Sequence, residues 1–345
     1  MIDWSYFPLR ILQRLQAHPA MRSIRHQPRI WRDTSNFTSI DYGDIILVDN
    51  RYFLVVGYTR EGRFGIDDQP KQWVPKVHDL ETGEPNILKL VFHETYSIKF
   101  GELEVKCYRS PEKEARVIDL VRGNPAFMQG YTALDDADNL VRILDLVPGK
   151  RLDTWLQQLG GTHRQYFEEH MLGVLERFLV SVQAISMLHS HGLKHGDIRR
   201  DHIFVNREDG SFLWIDFDYD FYLPERPYAM DLLGLGNVLL YIVSRQNFRP
   251  QDVLQHPEMG EKVFSALRVE DMALLARDRV FNLKKLYPYI PSRLNDILLH
   301  FSAGTSVIYD TVDEFHDELA ACVASLRRQT AVRATGPTAS PGPFP

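Results

Sequence analysis

The chain changes its structural preference about 150 residues from its start, and this change most constrains the fold. From Ile45 to Val105, β-branched and aromatic residues are interrupted by turn signals, as in IILVDNRYFLVVGY and YSIKFGELEVKCY. This pattern predicts an antiparallel sheet. Beyond Pro148 and Gly149, apolar residues at helical spacing dominate, as in LGVLERFLVSVQAISMLHSHG. Strands grouped before helices favour an α+β fold.

Smaller signals refine this order. Ser110 followed by Pro111 predicts a helix start, and EKEARVIDLV continues it with apolar residues on one face. A further strand is predicted at NLVRILDLVPG, and two short strands are predicted on either side of the turn REDG, at HIFVN and SFLWIDF. A buried helix is predicted at YAMDLLGLGNVLLYIV. The final RATGPTASPGPFP is too polar and proline-rich to order itself.

Composition excludes several classes. A formal net charge of -6 argues against a nucleic-acid partner bound through a broad basic field. Cys107 and Cys322 are too few and too far apart for a disulfide framework or a zinc site. No apolar run approaches the roughly 18 residues of a membrane helix, and the start lacks a signal peptide. We therefore expect a cytoplasmic protein without a transmembrane segment. The apolar stripe of residues 7 to 15 could contact a membrane or pack on the main domain, and we expect it to pack on the main domain because such stripes are usually buried.

The most informative segment runs from Leu188 to Phe221, LHSHGLKHGDIRRDHIFVNREDGSFLWIDFDYDF. Two acidic residues, Asp197 and Asp216, are separated by a loop, a short hairpin and a buried strand, so that folding could return them to one pocket. Phosphoryl transfer needs one carboxylate to orient the attacking hydroxyl and another to hold the metal that bridges the phosphates of ATP. Each short triplet means little alone, and only their order and spacing carry the argument.

This segment resembles the catalytic and metal-binding loops of the protein-kinase-like superfamily, H-R-D-x-x-x-x-N followed by D-F-G. Here they read HGDIRRDH, residues 195 to 202, and Asp216-Phe217-Asp218. The resemblance implies that Asp197 is the catalytic base, that Arg199 is also catalytic, and that Asp216 and His202 bind metal. It implies ATP and Mg²⁺ as cofactors, with Mn²⁺ as an alternative because His202 offers nitrogen.

Three positions depart from the family pattern. Gly196 stands where many protein kinases have Arg, and the H-G-D triplet is similar to that of small-molecule kinases such as antibiotic phosphotransferases. Asp218 replaces a flexible Gly and adds a carboxylate. His202 stands where the family usually has Asn, a position at which lipopolysaccharide-core kinases look similar.

The resemblance also assigns the nucleotide-binding residues. Lys89 matches the strand Lys that grips the α- and β-phosphates, and Glu114 matches its helix partner, with Glu112 as the rival on another helix face. The backbone of Asp145 to Val147 would hydrogen-bond adenine. Asp231 matches the helix Asp that braces the catalytic loop; otherwise it is a carboxylate favoured by the helix dipole.

The glycine-rich phosphate loop matches least well. Gly57, Gly62 and Gly65 fit it only in part, and Asp67 and Asp68 would repel phosphate.

The resemblance covers about residues 45 to 325 and implies a bilobal protein-kinase-like fold, with an antiparallel sheet and one main helix in its N-lobe and a mostly helical C-lobe. We predict an extension over residues 1–40, the N-lobe over 41–147, the C-lobe over 148–328 and a disordered tail over 329–345. The implied function is ATP- and Mg²⁺-dependent phosphoryl transfer to a hydroxyl of protein Ser/Thr or of a small molecule. The alternative is a nucleotide-binding scaffold without turnover.

Overall fold

The computed structural model describes residues 7–24, 26–63, 66–100, 103–275 and 278–335. These residues form an α+β fold. The chain divides into two compact units. The first lies within the bounds Met1–Ile98, Lys106–Pro148 and Ile215–Phe221, and the second within Lys99–Val105, Gly149–Trp214 and Tyr222–Pro345. The predicted domain limits remain predictions.

The described residues contain thirteen strands: β1 Ile30–Trp31, β2 Ile45–Val48, β3 Arg51–Arg63, β4 Ile66–Asp79, β5 Pro85–Lys89, β6 Thr95–Phe100, β7 Leu103–Arg109, β8 Gly130–Leu134, β9 Leu140–Asp145, β10 Gly149–Arg151, β11 Ile203–Asn206, β12 Phe212–Trp214 and β13 Tyr219–Tyr222. They also contain eleven α-helices: α1 Leu9–Ala17, α2 Pro111–Leu120, α3 Leu152–Gln158, α4 His163–Glu169, α5 Met171–Ser190, α6 Ala229–Ser244, α7 Pro250–Gln255, α8 Gly260–Ala266, α9 Leu283–Leu286, α10 Ser292–Leu299 and α11 Val312–Thr335.

The first unit is built on a seven-stranded sheet in the order β1-β2-β3-β4-β5-β9-β8. Its pairs are antiparallel except β1 with β2. Asp49 and Asn50 join β2 to β3 with φ of 50° and 59°. Asn and Asp tolerate this left-handed backbone, which two-residue hairpins require. The predicted single sheet is wrong in one respect, because β6 and β7 form a separate sheet in the order β13-β7-β6. Alternation predicts strands but not their partners.

The two faces of this sheet bury different residues, as a two-residue side-chain period requires. Ile46 and Phe53 join a core cluster on one face. Ile45 and Leu54 pack on the other face against Ile11 and other apolar residues of the N-terminal segment. The prediction that this segment packs on the main domain is therefore confirmed for Phe7, Ile11 and Leu15, while Leu12 is only partly buried. Each such side chain stabilises the fold by roughly 1.5–3 kcal/mol.

Helix α2 begins where the sequence predicts. The Ser110 hydroxyl accepts a hydrogen bond from the Lys113 backbone N–H at 3.1 Å, and Pro111 occupies the first turn. Val117 and Ile118 are buried on its inner face. The same helix buries the carboxylate of Glu114 completely. Because a buried charge needs cationic partners, the position of α2 determines where those partners must lie.

The second unit is mostly helical, with a small antiparallel sheet in the order β10-β11-β12. The predicted hairpin is confirmed, since Ile203 pairs with Trp214. Its second strand is shorter than predicted and ends before Asp216, whose φ of 68° is incompatible with a strand. At the other end of the chain, α11 continues to Thr335, so residues 329–335 are helical rather than part of a disordered tail.

Helix α5 corrects the expectation that no apolar run approaches the length of a membrane span. By length and composition, it is the one helix of the described residues that is long and apolar enough to cross a membrane. Half of its apolar window is buried inside the protein, and α5 packs on α6, α11 and β12. A buried core helix has the same length and composition, so this helix is weak evidence for a membrane span.

Candidate functional site

Lys89 lies at the end of β5 and is buried beside a carboxylate from α2. Its Nζ is 2.7 Å from Glu114 Oε1. The predicted pairing with Glu114 is present in the structure, whereas Glu112 is exposed and accepts a hydrogen bond from the Ser110 hydroxyl at 3.3 Å. Strand β5 and helix α2 therefore hold an ammonium and a carboxylate together out of water.

Arg142 completes this pair from the neighbouring strand. Lys89 and Arg142 are directly opposite each other in the β5–β9 register. Arg142 Nε donates to Glu114 Oε2 at 3.2 Å, and Arg142 Nη2 donates to the Leu90 carbonyl at 3.1 Å. Both oxygens of Glu114 are thus bonded to cations, which favours an ionised carboxylate in a buried position.

The Asp216 carboxylate lies within ion-pair distance of two lysines. Lys89 Nζ is 2.5 Å from Asp216 Oδ1, and Lys71 Nζ is 3.8 Å from Asp216 Oδ2. The Asp216 side chain is 20% exposed, and its φ of 68° is a strained backbone conformation of the kind that clusters at functional sites. Burial alone would lower the pKa of Lys89, but the nearby carboxylates, Asp216 first, raise it above its ordinary value.

Asp218 is buried and paired with a cation that the sequence pattern does not reveal. One Asp218 oxygen, Oδ2, accepts from Arg109 Nη1 and lies 3.2 Å from Lys89 Nζ. Burial would raise the pKa of Asp218, but Lys89 and then Arg109 hold it below the ordinary value. The other oxygen, Oδ1, is buried without a hydrogen-bond partner among the described residues.

Arg109 is held in turn by an acid and an aromatic ring. Its Nε is 3.0 Å from Glu94 Oε2, and its guanidinium lies 4.2 Å from the centre of the Tyr219 ring. The Tyr219 hydroxyl donates to the same Glu94 oxygen at 2.6 Å. This closed arrangement gives Arg109 little freedom to leave Asp218.

The start of α2 also fixes the backbone of residues 217–219. Lys113 Nζ donates to the Phe217 carbonyl at 2.6 Å and to the Tyr219 carbonyl at 2.7 Å. The Ser110 backbone N–H donates to the Asp218 carbonyl at 2.7 Å. Every residue of this cluster around Lys89 belongs to the first unit. The segment that carries Asp216 is therefore tied to the helix that carries Glu114.

In the second unit, Asp231 anchors the loop that contains the H-G-D triplet. The buried Asp231 carboxylate accepts hydrogen bonds from the backbone N–H groups of His195 at 2.8 Å and Gly196 at 2.9 Å, and it lies 3.0 Å from His189 Nε2. Burial would raise the pKa of Asp231, but these bonds, beginning with His189, hold it below the ordinary value. Gly196 has a φ of 87°, which a side chain would strain.

Asp197 lies beside two of the residues predicted with it. His202 Nδ1 is 3.5 Å from Asp197 Oδ2, and Arg199 Nη1 is 4.0 Å from that oxygen. Arg199 binds Asp201 more closely, with Nη2 to Oδ2 at 2.7 Å. Burial would raise the pKa of Asp201, but the Arg199 guanidinium keeps it low. The Asp197 side chain is 20% exposed.

His202 contacts the same loop through its backbone. His202 Nδ1 lies 2.8 Å from the Asp197 carbonyl, which can only accept a hydrogen bond. Nδ1 is therefore the donor of this hydrogen bond, and in a neutral imidazole the lone pair would lie on Nε2. This is the tautomer of many metal-binding histidines. Among the described residues no group of three or more His, Cys, Asp or Glu is arranged to hold a metal ion. Metal binding by His202 stays a prediction.

Adenine binding by the backbone of Asp145 to Val147 stays a prediction. The Asp145 N–H, at the end of β9, donates to the Gln129 carbonyl at 3.0 Å, so this one donor already has a partner inside the protein. Leu146 and Val147 follow the strand, and Leu146 is 48% exposed. Of the three predicted glycines of the phosphate loop, Gly57 and Gly62 lie in β3, while Gly65 lies outside the described residues.

Comparison with known proteins gives a distant relationship to protein kinases. The chain is 28% identical over 116 residues to serine/threonine-protein kinase PKH3 of Saccharomyces cerevisiae, a stretch that covers 34% of this chain and 12% of that protein. It is 27% identical over 109 residues to serine/threonine-protein kinase PknD of Protochlamydia amoebophila, with 30% and 11% covered. No protein-family model matches the chain. The alignments support a kinase-like relationship and cover only a small part of each relative.

Proposed function

We propose that this protein is a phosphotransferase with the bilobal protein-kinase-like fold, and that it moves the γ-phosphoryl group of ATP to a hydroxyl with the help of Mg²⁺. One observation carries the proposal: the Lys89 ammonium is bonded to both Glu114 and Asp216. Protein kinases require a strand lysine held by a helix glutamate and an aspartate that binds Mg²⁺. The distant similarity to two Ser/Thr kinases supports the same reaction class.

The cluster around Lys89 concentrates cationic side chains. Among the described residues its cations are Lys71, Lys89, Arg109, Lys113 and Arg142, and its carboxylates are Glu94, Glu114, Asp216 and Asp218. In a site of low dielectric, an ammonium such as that of Lys89 would interact with phosphate more strongly than it would in water.

The acidic residues of the first unit fit Mg²⁺. This ion keeps several waters and usually takes one or two carboxylates together with phosphate oxygens, so it needs no complete protein cage. Asp216 offers a partly exposed carboxylate, and Asp218 adds a buried oxygen without a hydrogen-bond donor among the described residues. When bound, Mg²⁺ would neutralise charge that develops on the phosphates.

Asp197 in the second unit would orient the acceptor hydroxyl and take its proton. Its carboxylate is partly exposed, and its loop is held by Asp231 through two backbone hydrogen bonds. A fixed loop gives a general base the fixed geometry that proton transfer needs. Arg199, 4.0 Å from Asp197, would offset negative charge near the transferred group.

The acceptor is best searched for among proteins and small molecules together. Twelve residues separate Asp218 from Asp231, which is shorter than the segment that supports protein substrates in protein kinases. This favours a small hydroxyl-bearing acceptor. The similarity to Ser/Thr kinases keeps protein hydroxyls in the search.

A nucleotide-binding scaffold without turnover is the second candidate. It is favoured by His202 Nδ1, which bonds to the Asp197 carbonyl and so gives His202 a structural role independent of metal. Both candidates require nucleotide binding at Lys89, and they differ only in whether phosphate is transferred.

Thermal unfolding with Mg²⁺·ATP tests the part that both candidates share. A ligand at 100 times its Kd stabilises the folded state by about 2.7 kcal/mol, so the melting temperature of the wild type should rise. Lys89→Met should show a much smaller rise over its own unliganded baseline. Lys76→Met, an exposed lysine of β4, is the matched control and should behave as wild type. An unchanged rise in Lys89→Met at subsaturating nucleotide would remove Lys89 from the site.

A further inference from the structure

Lys113 is buried at the start of α2, although lysines are rarely covered to this extent unless they are paired. Its exposed fraction is 2%, and its Nζ donates to the Phe217 carbonyl at 2.6 Å and to the Tyr219 carbonyl at 2.7 Å. Its neighbour Glu114 is also buried and bonds to Lys89. The start of α2 therefore presents one charged side chain to Lys89 and another to a backbone segment.

The start of α2 also binds the carbonyl between these two. The Ser110 backbone N–H donates to the Asp218 carbonyl at 2.7 Å, so three consecutive carbonyls, those of residues 217–219, accept hydrogen bonds from this end of the helix. An ammonium carries three donors on a flexible stem, which lets one side chain bond two carbonyls at once. Hydrogen bonds from a charged donor are stronger than those between neutral groups. Lys113 thus supplies the two stronger bonds of the three.

The segment held in this way follows a residue with an unfavourable backbone conformation. Asp216 has a φ of 68°, which residues with a side chain rarely adopt. Such a conformation persists only where the surrounding structure fixes it. The carbonyl of the next residue, Phe217, is one of the two that Lys113 binds. Contacts that hold this carbonyl therefore help to keep the Asp216 carboxylate beside Lys89, with 2.5 Å between Oδ1 and Nζ.

We propose that Lys113 is a positioning residue: by holding the backbone that follows Asp216, it keeps the Asp216 carboxylate where it can bind the metal ion of Mg²⁺·ATP. This inference rests on the proposed function. In the family pattern the third residue of this segment is a flexible Gly, whereas here it is Asp218, whose carboxylate bonds to Arg109. The backbone and a side chain of the segment are both held, so the metal ligand would be in place before the nucleotide binds.

ATP binding with and without Mg²⁺ reports on Asp216, because this residue would act through the metal. Isothermal titration gives the Kd of ATP in EDTA and in Mg²⁺, and the ratio of the two is the metal gain. Lys113→Met should lower the metal gain about tenfold, the scale of one hydrogen bond to a charged group. The same variant should bind metal-free ATP at least as tightly as wild type, which also shows that it is folded. Lys76→Met, at an exposed lysine, should match wild type in both measurements.

A double-mutant cycle separates positioning from a general loss of structure. Asp216→Asn should itself lower the metal gain, since it weakens a metal ligand. If Lys113 acts through Asp216, Lys113→Met should change the metal gain little once Asp216 is already replaced. Lys113→Gln keeps an uncharged N–H donor and should lose less of the metal gain than Lys113→Met.

Lys113 is not a positioning residue if Lys113→Met and Lys113→Gln both keep the wild-type metal gain, or if their effects add fully to that of Asp216→Asn. The same conclusion follows if both variants lose metal-free ATP together with Mg²⁺·ATP. In each of these cases Asp216→Asn can still lower the metal gain, and the proposed function stands. If wild type binds no Mg²⁺·ATP, or if Asp216→Asn keeps the full metal gain, the proposed function fails and the inference fails with it.

Discussion

Arg109 allows a quantitative test of the buried cluster. The change Arg109→Met keeps an apolar stem but removes the guanidinium that bonds to Asp218 and Glu94 and covers the Tyr219 ring. Among the described residues, the buried Asp218 carboxylate would then retain the Lys89 ammonium, at 3.2 Å, as its ion-pair partner. Breaking a buried charge pair costs about 3–5 kcal/mol, and a lost cation–π contact costs about 1 kcal/mol. Because Lys89 still partly neutralises Asp218, we expect Arg109→Met to lower the free energy of unfolding by about 3 kcal/mol, the lower end of the range for a broken buried charge pair.

A double-mutant cycle isolates the ion pair from the packing. Asp218→Asn removes the charge with little change of shape, so Arg109→Met should cost only about 1 kcal/mol in that background, leaving a coupling of about 2 kcal/mol. Urea unfolding at pH 7 gives the four free energies of unfolding from midpoints and slopes. Additive effects, or a loss below about 1 kcal/mol for Arg109→Met alone, would refute the view that Arg109 neutralises Asp218.

Two further predictions concern histidines. The His163 ring stacks on the Tyr287 ring with 3.6 Å between the ring centres, and burial lowers the pKa of His163 to about 4. Between pH 6.5 and 4 the unfolded chain therefore binds a proton that the folded state excludes. The free energy of unfolding should fall as the pH falls through this window. Urea midpoints measured across this pH range should depend less on pH in His163→Gln than in wild type, whereas His191→Gln, at an exposed histidine, should match wild type. A pH dependence in His163→Gln equal to that of wild type would contradict the role of His163. If His202 binds metal through Nε2, His202→Asn should shift the Mn²⁺/Mg²⁺ rate ratio toward Mg²⁺; an unchanged ratio with altered stability would leave His202 only its bond to the Asp197 carbonyl.

The parts of the site that the sequence predicts are those fixed by local order. Lys89 at the end of a strand and Glu114 one turn into the next helix were predictable because helix spacing distinguishes Glu114 from Glu112. The contacts of Asp231 with the backbone of His195 and Gly196 agree with the predicted bracing of this loop.

The parts that escape prediction depend on contacts between distant residues. Arg109 and Lys71 lie on strands, where a charged residue ordinarily faces water, and nothing local indicates that both turn inward to aspartates more than 100 residues away. Strands β6 and β7 were predictable as strands, but the pairing of β7 with β13 depends on where residues 219–222 return. The bond of the Asp145 N–H to Gln129 was equally hidden, because β8 carries no pattern strong enough to place it.

Phosphotransferase activity is tested directly by transfer of label from γ-labelled ATP into an extract that contains proteins and small molecules. We expect wild-type protein to label a hydroxyl-bearing acceptor, and Asp197→Asn to lower the rate by about a hundredfold or more while nucleotide binding is retained. Wild-type protein that binds Mg²⁺·ATP but transfers no label above a protein-free control would contradict phosphotransferase activity. Transfer that Asp197→Asn leaves unchanged would contradict the role of Asp197 as the base.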